Sequence, residues 1–373
     1  MKLDKCSDLQ LRNDVIIFRD VLFLHQKDRA QRQFQMLMGE DTLDQRVIDN
    51  FQNNIAHNVS IATREGFDYK HIVFPCKPIV YKEQFQSIGV ELNSIFSDKH
   101  NHPQVLYPKL LPTDYFLGDS HSNVFGTLKI INQVLVEFGY PKLPEPILKD
   151  HAVIGDLRKM LGEEEKVIVK SLKGLKGLPI NTLARYSLGQ ALKGNTGKIQ
   201  FHFNPYALYN RRLVLFGTSS FFDRSDVYQR IFSEVVFVRT PYILDDIVKI
   251  LEPDMVLTGN AERHLYNVPD CDKPIPWFMN YISDRYDSKL LRETDIKAFT
   301  ALFSGKDSRA YKNMFGSKLS DLPRCIDKLS ELSDNDITTD ADINFIKGMA
   351  SHYIDTHPRQ AYYLMRLAHN IKT

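Results

Sequence analysis

Two short stretches of the chain hold residues that could do chemistry together. The first is GDSHSNVFG, residues 118–126, where Asp119 and His121 stand two positions apart. In extended backbone such a pair shares one face. The carboxylate can then hold one ring nitrogen and leave the other turned towards a nucleophile. The pair also reads as metal ligands or as a polar turn. A metal site would recruit His100 and His102 from KHNHP (99–103), which reads as an exposed turn. Two-metal hydrolases need more carboxylates and imidazoles at close spacing, so the expectation is no metal. The second stretch is LVLFGTSSFF, 213–222. Gly217 precedes Ser219 by two residues at the end of an apolar run. A serine at a strand-to-helix turn presents its hydroxyl at the sheet edge, with its own N–H near a helix start. By itself this is also the pattern of a phosphate-loop fragment or a capping turn. Taken together, Asp119, His121 and Ser219 supply orienter, base and nucleophile. Ser220 is the competing serine, without the glycine offset.

The elements around these residues must bring 119–121 to 219. Residues 42–63 read as a helix, with Thr42 and Gln45 as a capping-box pattern and Val47, Phe51, Ile55 and Val59 at helical spacing. HIVF (71–74) reads as a buried strand, and 127–138 as a helix ended by Gly139. Further on, strand 212–216, helix 224–232, strand 235–238, helix 242–251 and strand 254–259 alternate. That alternation predicts an α/β fold with a parallel sheet and crossover helices. Ligands in such sheets sit at the carboxyl ends of strands, the place of 217–220 and of 259–263. From about residue 290 the pattern is helical, with segments 342–353 and 358–372 suggesting a hairpin that caps the α/β body or binds a partner. The expected division is a catalytic domain, 1–285, and a helical region, 286–373.

Composition narrows the function classes. The chain has 373 residues, 43% hydrophobic and 25% charged, with a net charge of +2. This is an ordinary globular balance, with no electrostatic signature of nucleic-acid binding. Cys6, Cys76, Cys271 and Cys325 are widely separated and form no CxxC pair, so neither a zinc site nor a disulfide framework is expected. No segment approaches the ~20 apolar residues of a membrane span. The N-terminal stretch lacks a signal-peptide run. The expectation is a cytoplasmic protein, or a periplasmic one if a signal peptide has been removed.

Several ordered blocks resemble the SGNH/GDSL hydrolase superfamily, in the branch of alginate O-acetyltransferases and related polysaccharide acetyltransferases. DSHSNVFG (119–126) resembles that branch's D-x-H-W-N-x-x-G block. FNPYALYNRRLVLFGTSSF (203–221) resembles its Asn-Pro segment and nucleophile strand, and EPDMVLTGNAERHL (252–265) its P-D-x-V…E-R-x-L block. VFPCKPIVYKEQF (73–85) and GDLRKMLG (155–162) also have counterparts. The blocks span roughly residues 15–270. Asp-x-His precedes the serine, the order of this branch, which resembles a circular permutation of ordinary SGNH enzymes. Ser122 departs from the pattern, standing where the branch has Trp.

The resemblance implies an SGNH-like, flavodoxin-like α/β sandwich and a serine O-acetyltransferase working on a bacterial surface polysaccharide or its precursor. Ser219 would carry the acetyl group, with no tightly bound cofactor and acetyl-CoA as donor. Asn260, Arg263 and Asn123 are the candidate oxyanion or substrate contacts; Arg263 also reads as a structural partner of Glu262. The expected partners are a glycan acceptor and the acetyl donor, with a polysaccharide-biosynthesis enzyme at the C-terminal helices. An acetylesterase with the same triad and an inactive carbohydrate-binding module are the alternatives.

Overall fold

The structure is a computed structural model that describes residues 8–25, 33–180, 184–188, 197–204, 206–222, 225–240 and 242–270, with a few residues between 344 and 365. The expected helices at 342–353 and 358–372, and the 286–373 region they belong to, otherwise lie outside the described residues.

The chain opens with an antiparallel meander, β1 (Leu9–Arg12), β2 (Val15–Phe18) and β3 (Val21–Leu24). Helices α1 (Gln33–Leu37) and α2 (Gln45–Glu65) lead into β4 (Asp68–Phe74). Two helical turns, α3 (Lys77–Val80) and α4 (Lys82–Gln86), precede the short β5 (Val105–Leu106) and helix α5 (Val124–Glu137). A hairpin of β6 (Pro146–Val153) and β7 (Val167–Leu175) encloses α6 (Asp156–Met160). The rest comprises β8 (Ala184–Leu188), β9 (Ile199–Phe203), β10 (Tyr209–Gly217), α7 (Ser219–Phe222), α8 (Ser225–Ile231), β11 (Phe232–Val238), α9 (Asp245–Leu251) and β12 (Met255–Ala261).

The main sheet runs β5-β4-β12-β10-β11-β9-β8. Its first five strands are parallel, as the alternating pattern predicts. β9 and β8 extend it antiparallel, so the sheet is mixed. Strands buried on both faces read as continuous apolar runs. LVLF (213–216) and VVFV (235–238) are such runs, every residue at 3% exposure or less. On one face Leu213, Leu215, Met255 and Leu257 pack under Ile131, Val134 and Leu135 of α5 and Val227 and Ile231 of α8. On the other, Val73 meets Phe51 and Ile55 of α2.

Local chemistry sets the helix ends. Asp44, not Thr42, caps α2 by accepting from the Arg46 N–H at 2.9 Å, and Gly66 ends the helix at φ 77°. Gly217 and Gly259 face each other across the β10–β12 register. A Cβ on either would lie 2.6–2.8 Å from the Phe221 ring, so both glycines make room for the aromatic that seats the turn after β10. KHNHP is exposed at Lys99, Asn101 and Pro103, as expected of a turn, but His100 is fully buried, stacked on Phe96 and edge-on to Phe51. Burial holds its pKa below the ordinary imidazole value. Cys76, the one cysteine among the described residues, is a buried free thiol. No described helix is long and apolar enough to cross a membrane.

Candidate active site

β10 is the central strand of the seven-stranded sheet, and Ser219 stands just past its carboxyl end as the first residue of α7. Among the described residues the Ser219 amide has no turn or cap acceptor. Phe221 is the first to bond back, its N–H meeting the Thr218 carbonyl at 3.1 Å. A free N–H beside the hydroxyl is what an oxyanion contact requires.

The Asp-x-His turn reaches this strand end from the loop before α5. Ser219 Oγ–H donates to His121 Nε2 at 3.0 Å, and His121 Nδ1–H donates to Asp119 Oδ1 at 2.7 Å. Residues 98 positions apart are thus joined into a hydroxyl–imidazole–carboxylate relay. The His121 N–H also meets Asp119 Oδ1, at 2.9 Å, which tightens the turn that sets the ring. The side chains of His121 and Asp119 are 13% and 21% exposed, so the relay is sheltered yet reachable. Burial alone would raise the Asp119 pKa. The hydrogen bond and charge of His121 and the amides of Asp156 and His121 outweigh it and hold the carboxyl well below the usual range.

Two neighbours that the sequence reading did not assign complete the site. Asp156, the first residue of α6, donates its N–H to Asp119 Oδ2 at 2.9 Å. Its carboxylate accepts from Ser120 N–H at 2.7 Å and Ser120 Oγ–H at 2.5 Å, and lies 3.6 Å from His121 Nδ1. Burial, then the Asp119 charge, pushes the Asp156 pKa up. Lys77, at the start of α3, is buried. Its Nζ lies within hydrogen-bond reach of the carbonyls of Leu22, Phe116, Leu117 and Asp119 at 2.5–3.1 Å. That pins the loop carrying Asp119. Burial brings the Lys77 pKa down to about 7, against the pull of Asp119 and Asp156. Both residues fall in blocks that carry the family resemblance, VFPCKPIVY and GDLRKMLG, so the signal was there without a role attached.

Asp119, His121 and Asp156 offer ligand atoms within 4.8 Å of one another. All four carboxylate oxygens accept protein hydrogen bonds, and the ring nitrogens serve Asp119 and Ser219. The donor set is that of a relay. His100 and His102 take no part in it.

The weaker candidates divide. Asn123 caps α5: its Oδ1 accepts from Phe125 and Gly126, and its amide donates to the carbonyls of Thr113 and Tyr115. That amide is committed to the loop and helix start. Asn260 lies in β12 opposite Val73 and makes no hydrogen bond to Ser219 or His121 among the described residues. Arg263 lines the small cavity that His121, Ser220, Cys76 and Lys77 share, with a buried and unpartnered Nε. It is not the partner of Glu262. That carboxylate is fully buried and accepts from the N–H groups of Cys76, Ile95 and Phe96, from Tyr107 and from Ser94. Arg211 pairs with Asp254, and Arg212 with Glu234, at the far end of β10.

No family model matches the chain, and no curated protein does. Solved structures that it resembles include a DHHW family protein from Eubacterium siraeum, at 10% identity and TM-score 0.45, covering 70% of this chain and 95% of that one. Bacillus cereus PatB1 with a sulfonyl adduct is similar at 11% identity and TM-score 0.45, over 69% of this chain and 95% of that one. The O-acetyltransferase domain of Pseudomonas putida AlgJ is similar at 14% identity and TM-score 0.38, over 72% and 98%.

Proposed function

We propose that the protein is a serine O-acetyltransferase that modifies a bacterial surface polysaccharide or its precursor. The observation that carries this reading is the relay Ser219–His121–Asp119 at the carboxyl end of a central parallel strand. The branch-specific motif order supports it. His121 Nε2 takes the Ser219 proton as Oγ attacks the acetyl carbonyl, and Asp119 steadies the imidazolium that forms. The tetrahedral oxyanion collapses with departure of the donor's leaving group, which takes the proton from His121. A sugar hydroxyl, deprotonated by the same ring, then attacks acetyl-Ser219 and restores the enzyme. The Ser219 N–H is the first oxyanion donor. Arg263, at the strand end beside the site, is the candidate for an anionic group of donor or acceptor, because a planar guanidinium suits paired oxygen contacts. Acetyl-CoA as donor and a cytoplasmic setting belong to the same proposal.

The test is mass spectrometry of the protein after incubation with acetyl-CoA and, separately, with p-nitrophenyl acetate. An acetyl adduct on Ser219 that is discharged by capsular or O-antigen oligosaccharides, yielding acetylated sugar, supports the transferase. Discharge only to free acetate would replace it with an esterase. Absence of any adduct from both donors would remove the acyl-enzyme.

A further inference from the structure

We infer that Asp156 is a second carboxylate of the relay, a positioning residue that fixes Asp119 and shares the charge that His121 carries once it has taken the Ser219 proton. The inference rests on the acyl-transfer reading above. Three observations carry it. The Asp156 N–H holds the Asp119 oxygen that His121 does not use, at 2.9 Å, so the orienting carboxylate cannot rotate away from the ring. The Asp156 carboxylate binds both the N–H and the hydroxyl of Ser120, the residue between Asp119 and His121, and so clamps the turn itself. Its Oδ2 stands 3.6 Å from His121 Nδ1, behind the Asp119 oxygen at 2.7 Å.

The backbone shows that this contact is built. Gly155 precedes Asp156 and packs on Gly118, which precedes Asp119. A Cβ on Gly155 would lie 2.1 Å from the Gly118 carbonyl oxygen. The two turns come this close because residue 155 has no Cβ, whereas a Cβ on Gly118 would meet only the flexible Arg158 side chain. A carboxylate at this range also acts on the ring electrostatically. When Ser219 Oγ–H breaks and its proton moves to Nε2, the ring becomes a cation with a proton on each nitrogen. Asp119 accepts from one of them, and the Asp156 charge stabilises the ion further. The charged groups that face His121 are Asp119 on its own turn, Asp156 from α6, Lys77 from α3 and Arg263 from beyond β12.

The experiment is an NMR titration of the His121 ring in the full chain, its signal assigned by its loss in His121→Gln. Asp156→Asn keeps the amide and an acceptor for Ser120 but removes the charge. The His121 pKa is expected to fall by about one unit, in the range for losing a neighbouring opposite charge. The acid limb of kcat/KM for p-nitrophenyl acetate should move down with it. A merely structural Asp156 would leave the titration in place, and an unchanged His121 pKa in a folded variant would overturn the inference. Asp156→Ser gives a second arm should Asp156→Asn fail to fold. It keeps the N–H that holds Asp119 and a hydroxyl for Ser120 but removes the charge, so the His121 titration should move in the same direction; no movement would overturn the inference as well. The titration does not depend on turnover, so its result is separable from that of the Ser219 adduct.

Discussion

At the scale of single residues, chemistry and support are carried by different side chains that share the same short motifs. In GDSHSN, Asp119 and His121 face Ser219, whereas Asn123 is spent on the start of α5. Ser219→Ala should lower acyl transfer by ~10⁴-fold or more, and His121→Ala should match it, because members of a relay act as a unit. Ser220, next to Ser219, is buried, 7% exposed. Ser220→Ala should therefore retain an acetyl adduct at Ser219. An inactive Ser220→Ala beside an active Ser219→Ala would reverse the choice of serine. Asn123→Ala removes an N-cap and should cost about 1 kcal/mol of stability in urea unfolding, within the range for such caps. If Asn123 touched substrate, the variant would instead lose turnover without losing stability.

At the scale of elements, the site depends on close approaches between segments distant in sequence. The turn at 118–121 is held by α6 on one side and by α3 on the other. Gly155→Ala places a Cβ against backbone, which cannot yield as a flexible side chain does. It should separate the two turns and lower activity more than ten-fold, a loss to be read in kcat while circular dichroism stays native. Lys77→Met leaves the carbonyls of Leu22, Phe116, Leu117 and Asp119 without their shared donor. Each unsatisfied buried acceptor costs ~1–3 kcal/mol, so chemical denaturation should show a loss of about 3 kcal/mol or more. A loss below about 1 kcal/mol would mean that water replaces the ammonium.

At the scale of the whole molecule, buried neutral imidazoles make the fold sensitive to acid. His71 lies within the sheet with Nδ1 2.7 Å from the Thr258 hydroxyl, and burial lowers its pKa to about 3. His100 is shifted in the same direction by the same cause. Between pH 3 and 6.5 the unfolded chain holds protons at His71 that the folded chain excludes. By linkage, stability is full above about pH 6.5 and falls as the pH drops towards 3. His71→Gln cannot titrate there and still offers the Thr258 hydroxyl a partner. Its unfolding free energy should vary less between pH 7 and pH 5 than that of the parent protein. Parallel pH curves for the two would remove His71 as the cause.

Much of this architecture was legible in the chain itself. Continuous apolar runs alternating with helical periodicity specify parallel strands and crossovers, because a strand buried on both faces has no polar side to show. The hydrogen-bonded set Ser219–His121–Asp119 was legible as residue types at fixed spacings, and its order along the chain resembles that of one branch of a superfamily. The edges were not legible. β8 and β9 join the sheet antiparallel, and the β1–β3 meander and β6–β7 hairpin lack the alternation that announces a crossover. Helix starts shifted because a cap is chosen by backbone geometry, which put Asp44 ahead of Thr42 and Asn123 ahead of Thr127. Only the tertiary structure gave Lys77 and Asp156 their places beside the relay and Glu262 its ring of buried donors. Such roles depend on which groups become neighbours after folding, and a linear spacing cannot encode a contact between segments tens of residues apart.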